Sequence, residues 1–228
     1  EELIKIAPSL SEKSQSKRSG ELNRMLGDAY YKLGQYKEAT PYLIKAAEQE
    51  GADVQDYYLL GFSLMEEKDF KQAKTYLAKA IEKKDSLAQN ALYHLGICCI
   101  ETNDKSNAKA MFKEASEMDF DMTIKEKALL NYAKVACETS SAYNEPLKAF
   151  QTFTEQFPNS DKANEAKEYL AQLYGEMKNY RDAIEMIEQM SERNLSVNKA
   201  YQRLCLNRAI ELFNENRTDD ALIYLDKS

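Results

Sequence analysis

Residues 24–46 read RMLGDAYYKLGQYKEATPYLIKA and residues 58–80 read YLLGFSLMEEKDFKQAKTYLAKA, so Leu26, Gly27, Ala39, Leu43 and Ala46 recur 34 residues later as Leu60, Gly61, Ala73, Leu77 and Ala80. A third copy at 93–115 fills the same places with Leu95, Gly96, Ala108, Phe112 and Ala115. Self-similarity at a period of tens of residues marks a stacked-repeat architecture and outranks any element-by-element reading. Within each copy the apolar residues fall at three- and four-residue spacing, which predicts two amphipathic helices. Short polar turns at Gly34-Gln35, Lys68-Asp69 and Asn103-Asp104 separate them, as an antiparallel helical hairpin requires. Glycine inside a helix costs stability relative to alanine, so Gly27, Gly61 and Gly96 predict places where two helices approach closely.

Further along the chain the pattern loosens but persists. Pro146 with Phe150, Ala183 with Ile187, and Ala221 with Leu225 continue it, giving successive anchor spacings of 34, 35, 38, 37 and 38 residues. Ala133, Ala171 and Ala209 take the glycine's place, and Lys178-Asn179 and Asn216-Arg217 supply turns. Tyr36, Phe70, Tyr143 and Tyr180 follow the turns and are expected to pack between successive copies. The fourth copy has one additional residue between Ala133 and Pro146, which predicts a looser turn there. Ser160, after Pro158, is expected to cap the next helix, while other copies use Gly51, Asp85 with Ser86, and Asn194 through Ser196 at the corresponding boundary. Pro41 lies where a helix beginning near Gln35 should already be running, so it should bend that helix or delay its start.

These recurring small and large positions resemble the tetratricopeptide repeat over residues 20–228. The resemblance implies an all-α, right-handed solenoid of about six stacked helix-turn-helix hairpins, at 20–53, 54–88, 89–125, 126–163, 164–201 and a shortened 202–228. Residues 1–19 read as the tail of a preceding repeat helix or as an extension. The stretch FPNSDKANEAKEYLAQLYGEMKNYRDAIEMI at 157–187 resembles looser repeats of bacterial periplasmic members, which points to the cell envelope, with the cytoplasm as the alternative.

In that family the first helix of each hairpin lines a concave groove. The matching positions hold Tyr58, Phe62, Tyr93 and Ile97, apolar where stacking should leave them accessible, with His94, Leu130, Asn131 and Lys134 beside them. Grouped accessible aromatics mark a binding surface, so the expectation is a non-catalytic scaffold that holds a protein or peptide segment in this groove. The alternative is a structural spacer in an envelope complex, self-associating through the same face. One subset of the family grips the C-terminal carboxylate of chaperones through Lys and Asn. Here those places hold Arg24, Asp28, Leu59, Asn90 and His94, and the charge of Asp28 with the apolar Leu59 speaks against that activity.

Composition narrows the remaining classes. Of 228 residues, 43% are hydrophobic and 30% charged, with only 7 Gly and 4 Pro, a balance suited to a helical globular chain. Lys and Arg total 31 against 38 Asp and Glu, a net charge of -7, so the electrostatic footprint for nucleic acid or an anionic membrane is missing. His94 is the sole histidine, which rules out multi-histidine metal sites by count; it reads as a groove-lining or partly buried imidazole. Glu66, Glu67 and Glu101 read as solvated helix face. Cys98, Cys99, Cys137 and Cys205 form no CxxC pair; Cys99 is expected in the core and Cys137 as a structural thiol. Nucleotide-loop and HExxH motifs do not occur, and the expectation is no cofactor, no metal, no catalysis and no membrane insertion.

Overall fold

The computed structural model describes residues 17–228, and the regular structure within them is helical throughout. The helices are α1 (Lys17–Lys32), α2 (Tyr36–Ala47), α3 (Val54–Glu66), α4 (Phe70–Lys79), α5 (Ser86–Glu101), α6 (Lys105–Ser116), α7 (Met122–Thr139), α8 (Asn144–Gln156), α9 (Ala163–Glu176), α10 (Tyr180–Glu188), α11 (Leu195–Asn214) and α12 (Thr218–Lys227). Most of the sequence expected to be the tail of a preceding repeat lies outside the described residues; α1 itself begins at Lys17. The described residues divide into two compact units, one ending at Val135 and one beginning at Ala136, with the division inside α7.

One turn design recurs. Three residues separate α1 from α2, α3 from α4, α5 from α6, α9 from α10 and α11 from α12. The middle residue of each is left-handed: Gly34 at φ 71°, Lys68 at 66°, Asn103 at 57°, Lys178 at 58° and Asn216 at 61°. That conformation lets two amides turn back onto the finished helix, as when Lys68 N–H reaches Met65 O and Asp69 N–H reaches Leu64 O, both at 2.9 Å. The free carbonyls of the helix end are thereby satisfied. The third turn residue then opens the next helix: the Asp69 and Asp104 carboxylates accept from Gln72 N and Asn107 N. Between α7 and α8 the connection is residues 140–143, one residue longer and without a left-handed residue among those described. The added residue expected there is thus a different kind of turn. It also shifts the aromatic: Tyr36, Phe70 and Tyr180 are the first residues of their helices and half-buried, whereas Tyr143 sits one place earlier, before α8, and is 46% exposed. The expectation that Tyr143 packs between copies fails for that reason.

In the first unit, α1 pairs with α2, α3 with α4 and α5 with α6, while α2 also touches α3 and α4 touches α5. The repeated residues Leu26, Ala39, Leu43, Leu60, Ala73, Leu77, Ala108 and Phe112 are all buried to 1% exposure or less. The glycines mark the close approaches. A Cβ on Gly61 would lie 2.8 Å from Leu77 Cγ and 2.9 Å from its backbone N, and one on Gly96 2.6 Å from the Phe112 ring. In the second unit, α9 pairs with α10 and α11 with α12, while α8 touches α9 and α10 touches α11; Phe150, Ala183 and Ile187 are buried.

Side-chain caps stand at several boundaries, though not at Ser160. Asp85 and Asn194 cap α5 and α11, accepting from Ala88 N at 2.8 Å and Val197 N at 2.9 Å. Ser160 does not cap α9: its Oγ accepts from Lys162 N at 2.9 Å within the preceding turn, and the helix starts only at Ala163. The proline at 158 is followed by more turn than the spacing suggests. Pro41 does not delay α2, which begins at Tyr36 and runs through it to Ala47. Its position on the exposed side leaves the core-facing residues in register.

Two buried polar groups tie successive copies together. The Arg24 guanidinium grips Asp56 at 2.6 and 2.5 Å, and Asp56, 1% exposed, also accepts from Asp53 N at 3.0 Å in the capping box of α3. Gln89, fully buried on α5, donates to Ala115 O, Met118 O and Asp121 O and accepts from Asp121 N at 2.7 Å. One amide thereby fixes the path from α6 to α7.

Candidate partner-binding surface

The first helices of the three hairpins in the N-terminal unit carry a continuous run of rings. From α1, Tyr31 meets Phe62 of α3 edge-on, with centroids 5.4 Å apart. Tyr36 at the start of α2 closes a triangle with both, at 5.7 and 5.6 Å. Phe62 then stands perpendicular to His94 of α5 at 4.7 Å, Tyr58 lies 6.2 Å from each, and Tyr93 meets His94 at 5.2 Å. Edge-to-face pairs at these separations contribute beyond the area they bury, so the run is a preformed surface. Helical spacing builds it: Tyr58 and Phe62 are four residues apart on α3, and His94 faces them from α5.

The sequence-derived residues fall into three groups. Tyr58, Phe62, Tyr93 and His94 are brought together as expected. They are half-buried, with Tyr58, Phe62 and Tyr93 packed on the core that includes Leu59, Leu60 and Leu95. The expectation of freely accessible side chains is corrected to that extent: the rings of adjacent first helices shield one another. Ile97 packs partly on the same core. Asn131 of α7 and, further along the helix, Lys134 are half-buried. Leu130, by contrast, is 6% exposed and belongs to the interior. Ala128, Leu129 and Leu130 are consecutive buried residues and span about 200° of the helix circumference, so α7 is packed on more than one side and Leu130 cannot face a groove. Tyr31 joins the run although the repeat register gives it no groove place; in the sequence its signal is a second tyrosine beside Tyr30.

The electrostatics are those of an apolar patch. Burial, with Lys127 nearby, holds the His94 imidazole down at about 4, against about 6.5 for a free side chain, so the ring is neutral at physiological pH. Burial pushes the Tyr31 phenol up to about 12 and raises Tyr58 as well. Neutral rings favour apolar and aromatic side chains over ions. Arg24 is held by Asp56 and Asp28 pairs with Lys32 at 2.7 Å, so the Arg24 guanidinium is already paired with a carboxylate of the chain. Glu66, Glu67 and Glu101 are exposed as expected. Cys98 and Cys99 are buried in the core, with the Cys98 thiol pushed up to about 12 by burial. Burial and the neighbouring Glu176 and Glu138 raise Cys137, as an unreactive thiol should behave. Among the described residues there is no cluster of His, Cys, Asp and Glu able to hold a metal, and no helix long and apolar enough to cross a membrane.

Residues 22–53, 57–82 and 89–122 match the family model of the tetratricopeptide repeat. No curated protein sequence matches the chain. Solved structures with a similar fold include YrrB, described as a TPR protein with an unusual peptide-binding site, at 18% identity and a TM-score of 0.63, covering 81% of this chain and 90% of that one. MamA AMB-1 aligns at 14% identity with a TM-score of 0.65, covering 80% and 97%. MamA from Desulfovibrio magneticus RS-1 aligns at 16% identity with a TM-score of 0.57, covering 77% and 94%.

Proposed function

We propose that this tetratricopeptide-repeat protein is an interaction scaffold whose N-terminal unit binds an apolar segment of a partner protein on the ring surface of α1, α3 and α5. Repeats of this family are in general non-catalytic interaction modules, and the fold is shared with YrrB, a protein described as having a peptide-binding site. The observation that carries the reading is the run Tyr31, Phe62, Tyr58, His94 and Tyr93. Five aromatic side chains on adjacent first helices are only half-buried, so covering their remaining apolar area, at about 25 cal/mol per Å², favours an apolar segment. Because the helices are already ordered, a segment docking there gives up little freedom on the scaffold's side. Asn131 and Lys134 at the edge supply polar contacts to the segment's backbone or charged ends. Leu130 has no part in it.

Crosslinking partners to the full-length protein in its native cell, with and without Tyr58→Ala, Phe62→Ala and Tyr93→Ala together, tests this. The variant should keep its helical circular dichroism and lose the crosslinked partners. Unchanged crosslinks from a folded variant would place the surface elsewhere.

A further inference from the structure

The boundary between the first two hairpins differs from the next one by an ammonium group. At the second boundary Lys74 of α4 reaches over to the end of α5, where its ammonium donates to the Asp104 carboxylate at 2.9 Å and to the Thr102 hydroxyl at 3.4 Å. One copy earlier the place of Lys74 is held by Thr40 and that of Thr102 by Glu67. The first boundary thus has one cation fewer and one carboxylate more at these places. The Thr40 hydroxyl donates to Glu67, and beside that contact lies a recess of about 470 Å³ lined by residues 34–38 and by Glu66 and Glu67 at the end of α3.

The walls of this recess suit a cation. Glu38, Glu66 and Glu67 line it against Lys37 alone, and all four side chains are exposed. The last turn of α3 carries no basic residue, so the negative carbonyl end of that helix adds to the carboxylates. Tyr36 supplies an aromatic wall, and a ring beside carboxylates favours an ammonium or guanidinium group. The same Tyr36 ring meets Tyr31 and Phe62 at 5.7 and 5.6 Å, so the recess adjoins the ring surface of α1, α3 and α5. Resting on the reading of that surface as a partner site, we infer that the bound segment carries a lysine or arginine next to its apolar core. This side chain enters the recess and takes, at the first boundary, the place that Lys74 takes at the second. What the chain provides from within at one boundary, the partner provides at the other.

The probe is a random peptide library displayed on phage and selected against the full chain, with the recovered peptides resynthesised and titrated by fluorescence anisotropy. The expected peptides have an apolar or aromatic core with Lys or Arg at one flank. Their affinity should fall about fivefold when Glu66→Gln and Glu67→Gln are combined, and equally when the peptide's basic residue is replaced by Gln. Both glutamates are exposed and glutamine keeps an acceptor for Thr40, so this variant retains its fold. Thr40→Lys gives a second reading, because it supplies in place the ammonium that Lys74 supplies one copy later and should weaken the basic peptides to a similar degree. Peptides that lose affinity for a folded Phe62→Ala, Tyr93→Ala variant yet bind the glutamine variant as tightly as the parent would overturn the basic anchor and leave the ring surface standing. Peptides indifferent to the ring substitutions, or a selection that recovers none, would overturn both.

Discussion

Gly61 shows how one missing Cβ sets the spacing of a hairpin. Alanine ordinarily stabilises a helix by about 1 kcal/mol over glycine, but here its methyl would lie 2.9 Å from the Leu77 backbone nitrogen, which cannot swing aside. We expect Gly61→Ala to destabilise by roughly 1–3 kcal/mol, read from the urea midpoint; a stabilised variant would mean that the helices separate at no cost. His94 makes a pH-dependent counterpart. Its imidazole lies among Phe62, Tyr58 and Tyr93 with Lys127 nearby. Between pH 6.5 and about 4 the unfolded chain binds a proton that the folded ring resists, so stability is full above pH 6.5 and falls as the pH drops through that window. His94→Asn should lose less stability than the parent chain between pH 7 and pH 5 in paired urea titrations. Equal losses would show that the imidazole is solvated.

At the scale of elements, the left-handed turn residues are a shared strain. Lys68 and Lys178 adopt φ 66° and 58° where glycine would pay no Cβ penalty. Lys68→Gly should therefore raise stability by about 0.5–1 kcal/mol, measured by thermal unfolding, and a loss would show that the lysine side chain is needed. Gln89→Leu has the opposite sign: four hydrogen bonds to the chain between α6 and α7 disappear, at a cost of about 2–4 kcal/mol, and amides 117–121 should exchange faster. These elements also show what the sequence made legible. Periodicity located the hairpins, glycines and turns because each small or large position recurs in copy after copy. Gln89 was invisible because its partners are main-chain atoms some thirty residues away, which no side-chain pattern records. Leu130 was misassigned because register places a residue on a helix but does not count how many sides of that helix are covered. Ser160 was misassigned because a serine after proline serves a turn as readily as a cap.

For the whole molecule, a repeat array distributes function along its length, since each hairpin contacts chiefly its neighbours. The ring surface belongs to the first unit, so substitutions on α11 and α12 should leave binding there unchanged. The central claim is that the half-buried rings of α1, α3 and α5 hold a partner segment. It is tested most directly by selecting a peptide from a random library against the full chain and mapping its contacts by aromatic and amide chemical shifts. The account predicts an apolar or aromatic peptide whose shifts centre on Tyr31, Tyr58, Phe62, Tyr93 and His94 and whose binding is lost in a folded Phe62→Ala, Tyr93→Ala variant. A tightly bound peptide that leaves those rings unshifted, or that binds the variant equally well, would contradict it.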